Sequence, residues 1–169
     1  MLYLKATNSE DWEKEWEFIT NQPSDENGFL NDYYQVDKDT FLNKVLPELF
    51  DYANGVNLPE NYVPETYFFL WDDDTIVGLF HLRHMLNDAL RNGSGHIGYG
   101  IKKEYRGKGY ASEGLRLAVE EARKIIPEDE VYLGVNKNNP ASLRVQMKNG
   151  AYIHHEDELK YYTRIPLGK

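Results

Sequence analysis

GHIGYGIKKEYRGKGYASEGLRLAVEEARK, residues 95–124, joins three local patterns in succession. The run His96-Ile97-Gly98-Tyr99-Gly100-Ile101 has the alternation of a strand, and its glycines mark a bulge or a close approach of another backbone or a ligand. Arg106-Gly107-Lys108-Gly109-Tyr110-Ala111 reads as a basic turn in which glycine permits positive φ. Leu115, Ala118, Val119 and Ala122 then recur at helical spacing until Pro127 stops the pattern. A helix N-terminus presents unpaired N–H groups and about half a positive charge, so this turn is suited to hold a phosphate or diphosphate, helped by Arg106 and Lys108. A solvated strand-to-helix connection is the other reading of the same residues.

The turn resembles the acyl-CoA-binding signature of the GNAT (Gcn5-related N-acetyltransferase) superfamily, Arg/Gln-x-x-Gly-x-Gly/Ala, filled here by Arg106, Gly109 and Ala111, with Gly107 as an additional glycine. A second motif of that superfamily is matched in order: a strand at 131–135, then Asn139-Pro140-Ala141-Ser142 opening another helix that Gly150 closes. The likeness is close over about the C-terminal two thirds of the chain and loose before it, and two ordered motifs are more specific than either alone. It looks most like a branch of bacterial predicted acetyltransferases. The resemblance implies one α/β (α+β) domain over residues 1–169, with a mixed, mostly antiparallel sheet of about seven strands flanked by about four helices. It also implies acetyl-CoA as co-substrate, no metal, and an amine acceptor.

Composition narrows the partners. The net charge of −9, with 28 acidic against 19 basic residues, argues against a nucleic-acid partner, which would need clustered cations. The chain has no cysteine, so disulfides, thiolate metal sites and acyl-cysteine intermediates are all excluded. No run approaches the length of a membrane span and no basic-then-apolar leader opens the chain, which reads as soluble and cytoplasmic. A homodimer is the commonest assembly for such a protein.

Along the chain, a strand at 2–6 leads to a helix capped by Asn8 or Ser9, with Trp12, Trp16 and Ile19 on one face. The polar segment 24–35 reads as a loop and, by the resemblance, as a candidate for shaping the acceptor pocket. A second helix over 40–53 contains Pro47, which should kink it or divide it in two. Residues 66–71 and 75–82 read as a hairpin around Asp72-Asp73-Asp74, and two late strands flank Glu156-Asp157-Glu158.

The resemblance also locates the chemistry. A backbone N–H beside Tyr99, Gly100 or Ile101 is expected to meet the thioester oxygen, and Asn139 and Ser142 belong to the coenzyme-binding set. An amine acceptor, nearly all protonated at neutral pH, needs a base. His96 is the favoured base, His84 a second candidate, and His81 reads as structural. The tyrosine that many members carry seven positions after the motif asparagine is replaced by Gln146, whose amide is able to hydrogen-bond a sulfur without supplying a proton. Tyr152, Tyr110 or water is left to act as the acid. Three readings follow: an N-acetyltransferase acting by direct attack in a ternary complex on a primary amine of a small molecule or peptide, a non-catalytic acyl-CoA sensor or partner domain, and some other phosphate-ligand protein. The last lacks both a nucleotide P-loop and the third glycine of a dinucleotide fingerprint.

Overall fold

The computed structural model describes all 169 residues. In chain order it contains β1 (Leu2–Ala6), α1 (Trp12–Thr20), a small hairpin of β2 (Asp25–Glu26) and β3 (Phe29–Leu30), and α2 (Lys38–Thr40) running through a π-helical turn, Phe41–Val45, into α3 (Leu46–Asn54). Then follow β4 (Glu65–Asp72), β5 (Thr75–Arg83), α4 (Asp88–Arg91), β6 (Ile97–Ile101), a 3₁₀ turn at Lys103–Tyr105, α5 (Tyr110–Ile125), β7 (Glu130–Asn136), α6 (Pro140–Lys148), β8 (Tyr152–Glu156) and β9 (Lys160–Pro166). The seven long strands and the principal helices appear in the expected order. All strand ladders are antiparallel.

β4 and β5 are the spine of the fold because both of their faces are covered. Successive side chains of a strand point to opposite faces. Phe68 and Leu70 of β4 therefore pack with Phe80, Leu115, Ala118 and Ala122 on the α5 side, whereas Phe69 and Trp71 pack with Phe18, Ile19 and Leu49 on the side of α1 and α3. This explains why the two strands read as continuous apolar runs rather than as alternating ones.

Three local features qualify the sequence reading. Pro47 divides its helix without breaking it: the Leu46 N–H reaches five residues back to the Phe41 carbonyl, and the widened turn between α2 and α3 accommodates a residue with no N–H of its own. Asn8 does not cap α1; its side-chain oxygen accepts from the N–H groups of Glu10 and Asp11, and the helix begins at Trp12. Within the segment 24–35, two-residue strands, too short to show periodicity, form the β2–β3 hairpin.

The seven long strands also divide into two sheets, β1-β4-β5-β6 and β7-β9-β8. They meet at an isolated bridge between Gly95 and Leu133. Phe80, fully buried, stacks on Tyr99 with ring centroids 5.3 Å apart, and faces Gly114 of α5 so closely that a β-carbon there would lie 2.4 Å from the ring. We expect Phe80→Ala to cost about 3–5 kcal/mol, measured by urea unfolding, because the cavity lies where sheet and helix cannot both close.

Candidate active site

The opening between β6 and β7 begins at Gly95. There φ is +70°, and a β-carbon would meet the Tyr132 carbonyl oxygen at 2.0 Å, so only glycine lets the strands touch at this point. Beyond it the strands diverge. Arg83 N–H donates to the His96 carbonyl and Lys102 N–H to the Val77 carbonyl, so the even-numbered residues of β6 spend their backbone groups on β5. The main chain of Ile97, Tyr99 and Ile101 faces the gap instead, although the Ile101 carbonyl accepts from Arg106 Nε at 3.0 Å. Of the three expected oxyanion donors, Gly100 is on the wrong edge of its strand, and Tyr99 and Ile101 remain.

His96 does not face the gap. Its ring is fully buried, Nδ1 accepts the Tyr132 N–H at 2.9 Å, and Nε2 lies 2.8 Å from the Glu128 carboxylate. With Nδ1 an acceptor, the ring is neutral and Nε2–H is the donor. Burial, the largest influence, lowers its proton affinity despite Glu128. The imidazole therefore pins β6 to β7 where they converge, and the base assignment made from sequence is corrected. Tyr152 is corrected as well: it projects from β8, with its hydroxyl on the Glu130 carboxylate at 2.7 Å, away from the gap. Tyr110 donates to Asp72 at 2.6 Å, which ties the start of α5 to β4, and His84 contacts Thr66 at 2.7 Å.

At the turn before α5, Gly107 and Gly109 adopt φ of +79° and +80°. The N–H groups of Gly107, Lys108, Gly109, Tyr110, Ala111 and Ser112 donate to no protein acceptor, and they sit at the N-terminus of the 16-residue α5. Such a set fits an anionic diphosphate. The Lys108 ammonium stands 5.7 Å from the Tyr105 ring centroid. Arg106 is less available than its motif position implies, since its guanidinium pairs with Glu26 at 2.8 Å.

The gap widens into a cleft of about 420 Å³. On one side it is lined by Tyr99, Asn139 and Ser142, which the sequence singled out. Asn139 caps α6, accepting from the Ser142 N–H at 3.2 Å, and Ser142 Oγ lies 2.6 Å from the Tyr99 hydroxyl. Gln146, one turn further on, is buried and accepts from Thr163 at 2.6 Å. The other side holds residues the sequence reading missed: Glu65, Tyr67, His81 and Arg83, with Glu26 and Phe29 from the small hairpin.

His81 is almost wholly buried between Tyr67 and Phe29, at centroid distances of 5.6 and 5.4 Å. Its Nδ1 has no hydrogen-bond partner and faces the Glu65 carboxylate at 3.6 Å. Its Nε2 side lies over Gly98, where a β-carbon would come within 2.3 Å. Burial acts to raise the proton affinity of Glu65, but His81 and Arg83 outweigh it, and the carboxyl is held below its usual range. The signal available in the sequence was one histidine inside an otherwise apolar strand opposite a glycine.

This arrangement of split strands, free-amide turn and capped following helix extends over the region where residues 3–152 match the acetyltransferase (GNAT) domain. The chain belongs to the GNAT acetyltransferase family. A probable N-acetyltransferase of Bacillus subtilis, YjcK, is 28% identical over 120 residues, 71% of this chain. The matched region spans 61% of that relative's length. Among solved structures, a GNAT-family acetyltransferase from Streptococcus pneumoniae aligns with TM-score 0.64 at 18% identity, covering 99% of this chain and 100% of that one. Spermidine N-acetyltransferase from Vibrio cholerae, solved with CoA and spermine, aligns with TM-score 0.61 at 20% identity, covering 99% and 96%. At these identities the structural neighbours establish the GNAT fold alone.

The pinned His96 makes a testable contribution to stability. Its folded proton affinity is depressed, so its contribution is complete above the unfolded histidine pKa of about 6.5 and is lost as pH falls below that. Unfolding free energy should therefore decline on the acid side of neutrality by up to about 1.4 kcal/mol per pH unit. His96→Gln should flatten that slope in urea titrations run at successive pH values.

Proposed function

We propose that this GNAT protein transfers an acetyl group from acetyl-CoA to a primary amine of a small molecule or peptide, by direct attack in a ternary complex. The single observation that carries this reading is the continuity of the site. One gap between β6 and β7 has unbonded turn amides beside it and an ionised carboxylate–imidazole pair in its acceptor wall. The residues fit the coenzyme: the amides from Gly107 to Ala111 and Lys108 hold its diphosphate, and the free edge of β6 holds its amide arm. When bound, it supplies an acyl group activated as a thioester.

The chain's own residues do the rest. Glu65, ionised and deep in the cleft, attracts an ammonium, and the rings of Phe29, Tyr33 and Tyr67 cover its carbon frame and face its charge. His81, whose Nδ1 faces Glu65 at 3.6 Å, takes in its neutral form the proton that the amine must lose before it can attack. The N–H of Tyr99 or Ile101 on the free edge stabilises the developing oxyanion. The amine-bound spermidine acetyltransferase of similar fold is consistent with an amine acceptor here.

Thiol release measured across a panel of amines tests the reading. We expect turnover with cationic primary amines, and tight acetyl-CoA binding without release from any of them would make the protein a coenzyme sensor instead. His81→Gln should lower kcat by ~10²-fold while leaving the coenzyme Kd unchanged, since it removes the base and not the phosphate site. Gly109→Glu should weaken acetyl-CoA binding by about tenfold or more in calorimetry, because a side chain at φ +80° and a carboxylate are both placed at the diphosphate turn.

A further inference from the structure

The loss of tyrosine at position 146 leaves the departing sulfur without its usual acid, and the cleft contains a phenol that the mechanism above has not used. Tyr99 OH lies 2.6 Å from Ser142 Oγ and 3.3 Å from the Ser142 carbonyl oxygen, at the first turn of α6. Its ring is held flat against Phe80, with an interplanar angle of 11°. Gln146, one turn further along α6 from Ser142, is buried with its carboxamide oxygen occupied by Thr163, and its amide acts with Ser142 to favour the ionised form of the phenol. Gln146 thus supports a phenol that enters from the strand rather than providing one from the helix.

We infer that Tyr99 is the catalytic acid, with Ser142 and Gln146 as its positioning residues. The inference rests on the acetyltransferase reading. As the C–N bond forms and the C–S bond breaks, the bonding pair passes to sulfur, and Tyr99 gives that sulfur its phenolic proton. The proton leaving the amine goes to His81. Ser142, in contact with the phenolate oxygen, passes a proton from water back to Tyr99 and restores the starting state. Burial keeps the phenol above its ordinary range, with Ser142 and Gln146 opposing part of the rise, so Tyr99 is loaded with its proton at neutral pH. Tyr110 and Tyr152 are both committed to carboxylates elsewhere, Asp72 and Glu130, and neither lines the cleft.

Tyr99→Phe preserves the stack on Phe80 and removes only the hydroxyl, so folding is not the variable. Two measurements decide the matter. Thiol release under saturating substrates should fall by ~10²-fold, and Ser142→Ala combined with Tyr99→Phe should lose little more than Tyr99→Phe alone, because both changes act on one proton. Independently of turnover, CoA bound to the protein is titrated through its ultraviolet thiolate absorbance. Removing a hydrogen-bond donor from the sulfur should raise the bound thiol's pKa by about one to two units relative to the unsubstituted protein. Unchanged turnover together with an unmoved thiol titration in Tyr99→Phe would overturn the role of Tyr99 while leaving acetyl transfer standing. Failure of the unsubstituted protein to bind acetyl-CoA would remove both.

Discussion

Everything at this site depends on β6 being hydrogen-bonded along one edge only. Residues 98 and 100 are committed to β5, and residues 97, 99 and 101 are turned toward a strand that is not there to receive them. Unpaired backbone groups in a protein interior are costly, so a gap of this kind persists only if something fixes its width. Gly95 and His96 do so. The glycine admits the Tyr132 carbonyl at a distance no side chain would allow, and the imidazole takes the place of a ladder partner for the Tyr132 N–H. The gap then opens from a rigid apex, and helices α5 and α6, whose N-termini flank it, are held by the same two strands.

The two halves of the cleft divide the work by polarity. The wall from β4 and β5 carries the charges: Glu65 kept ionised by His81 and Arg83, with Arg83 also donating to the Gly95 carbonyl at the apex. The wall from β6 and α6 carries only neutral hydroxyls and an amide: Tyr99 and Ser142 hydrogen-bond to each other, and Gln146 accepts from Thr163. In the roles proposed for them, His81 as proton acceptor and Tyr99 as proton donor belong to opposite walls of the opening. That is a workable arrangement for a reaction in which a proton leaves nitrogen and another reaches sulfur.

The turn at Arg106 to Ala111 and the cap at Asn139 to Ser142 were legible because they are local: both are short motifs whose geometry follows from their own residue types. The fold was legible for a related reason, since Leu115, Ala118, Val119 and Ala122 announce one helix face without reference to anything else. The acceptor half was not. Glu65, His81 and Gly98 lie on three strands and meet only through register, which no periodicity reveals. His96 misled because being next to the right strand says nothing about which way a ring points, and here the ring is turned inward to the Tyr132 N–H and Glu128. Tyr152 failed likewise, since β8 is an outer strand whose side chains are exposed. The β2–β3 hairpin is set by distant partners, Asn136 and Arg106, and is invisible in residues 24–35 taken alone.

One contact made by that hairpin reaches beyond its own position. Glu26 lines the cleft, and its carboxylate holds the guanidinium of Arg106, the residue that begins the turn before α5. The same arginine also grips the last carbonyl of β6. On the proposed reading, the seats for the two substrates would be coupled through one side chain, like two drawers on a common rail. A lineage that exchanged the hairpin to suit a different amine would have to retain an acid facing position 106, or accept a looser grip on the nucleotide end of its acyl donor.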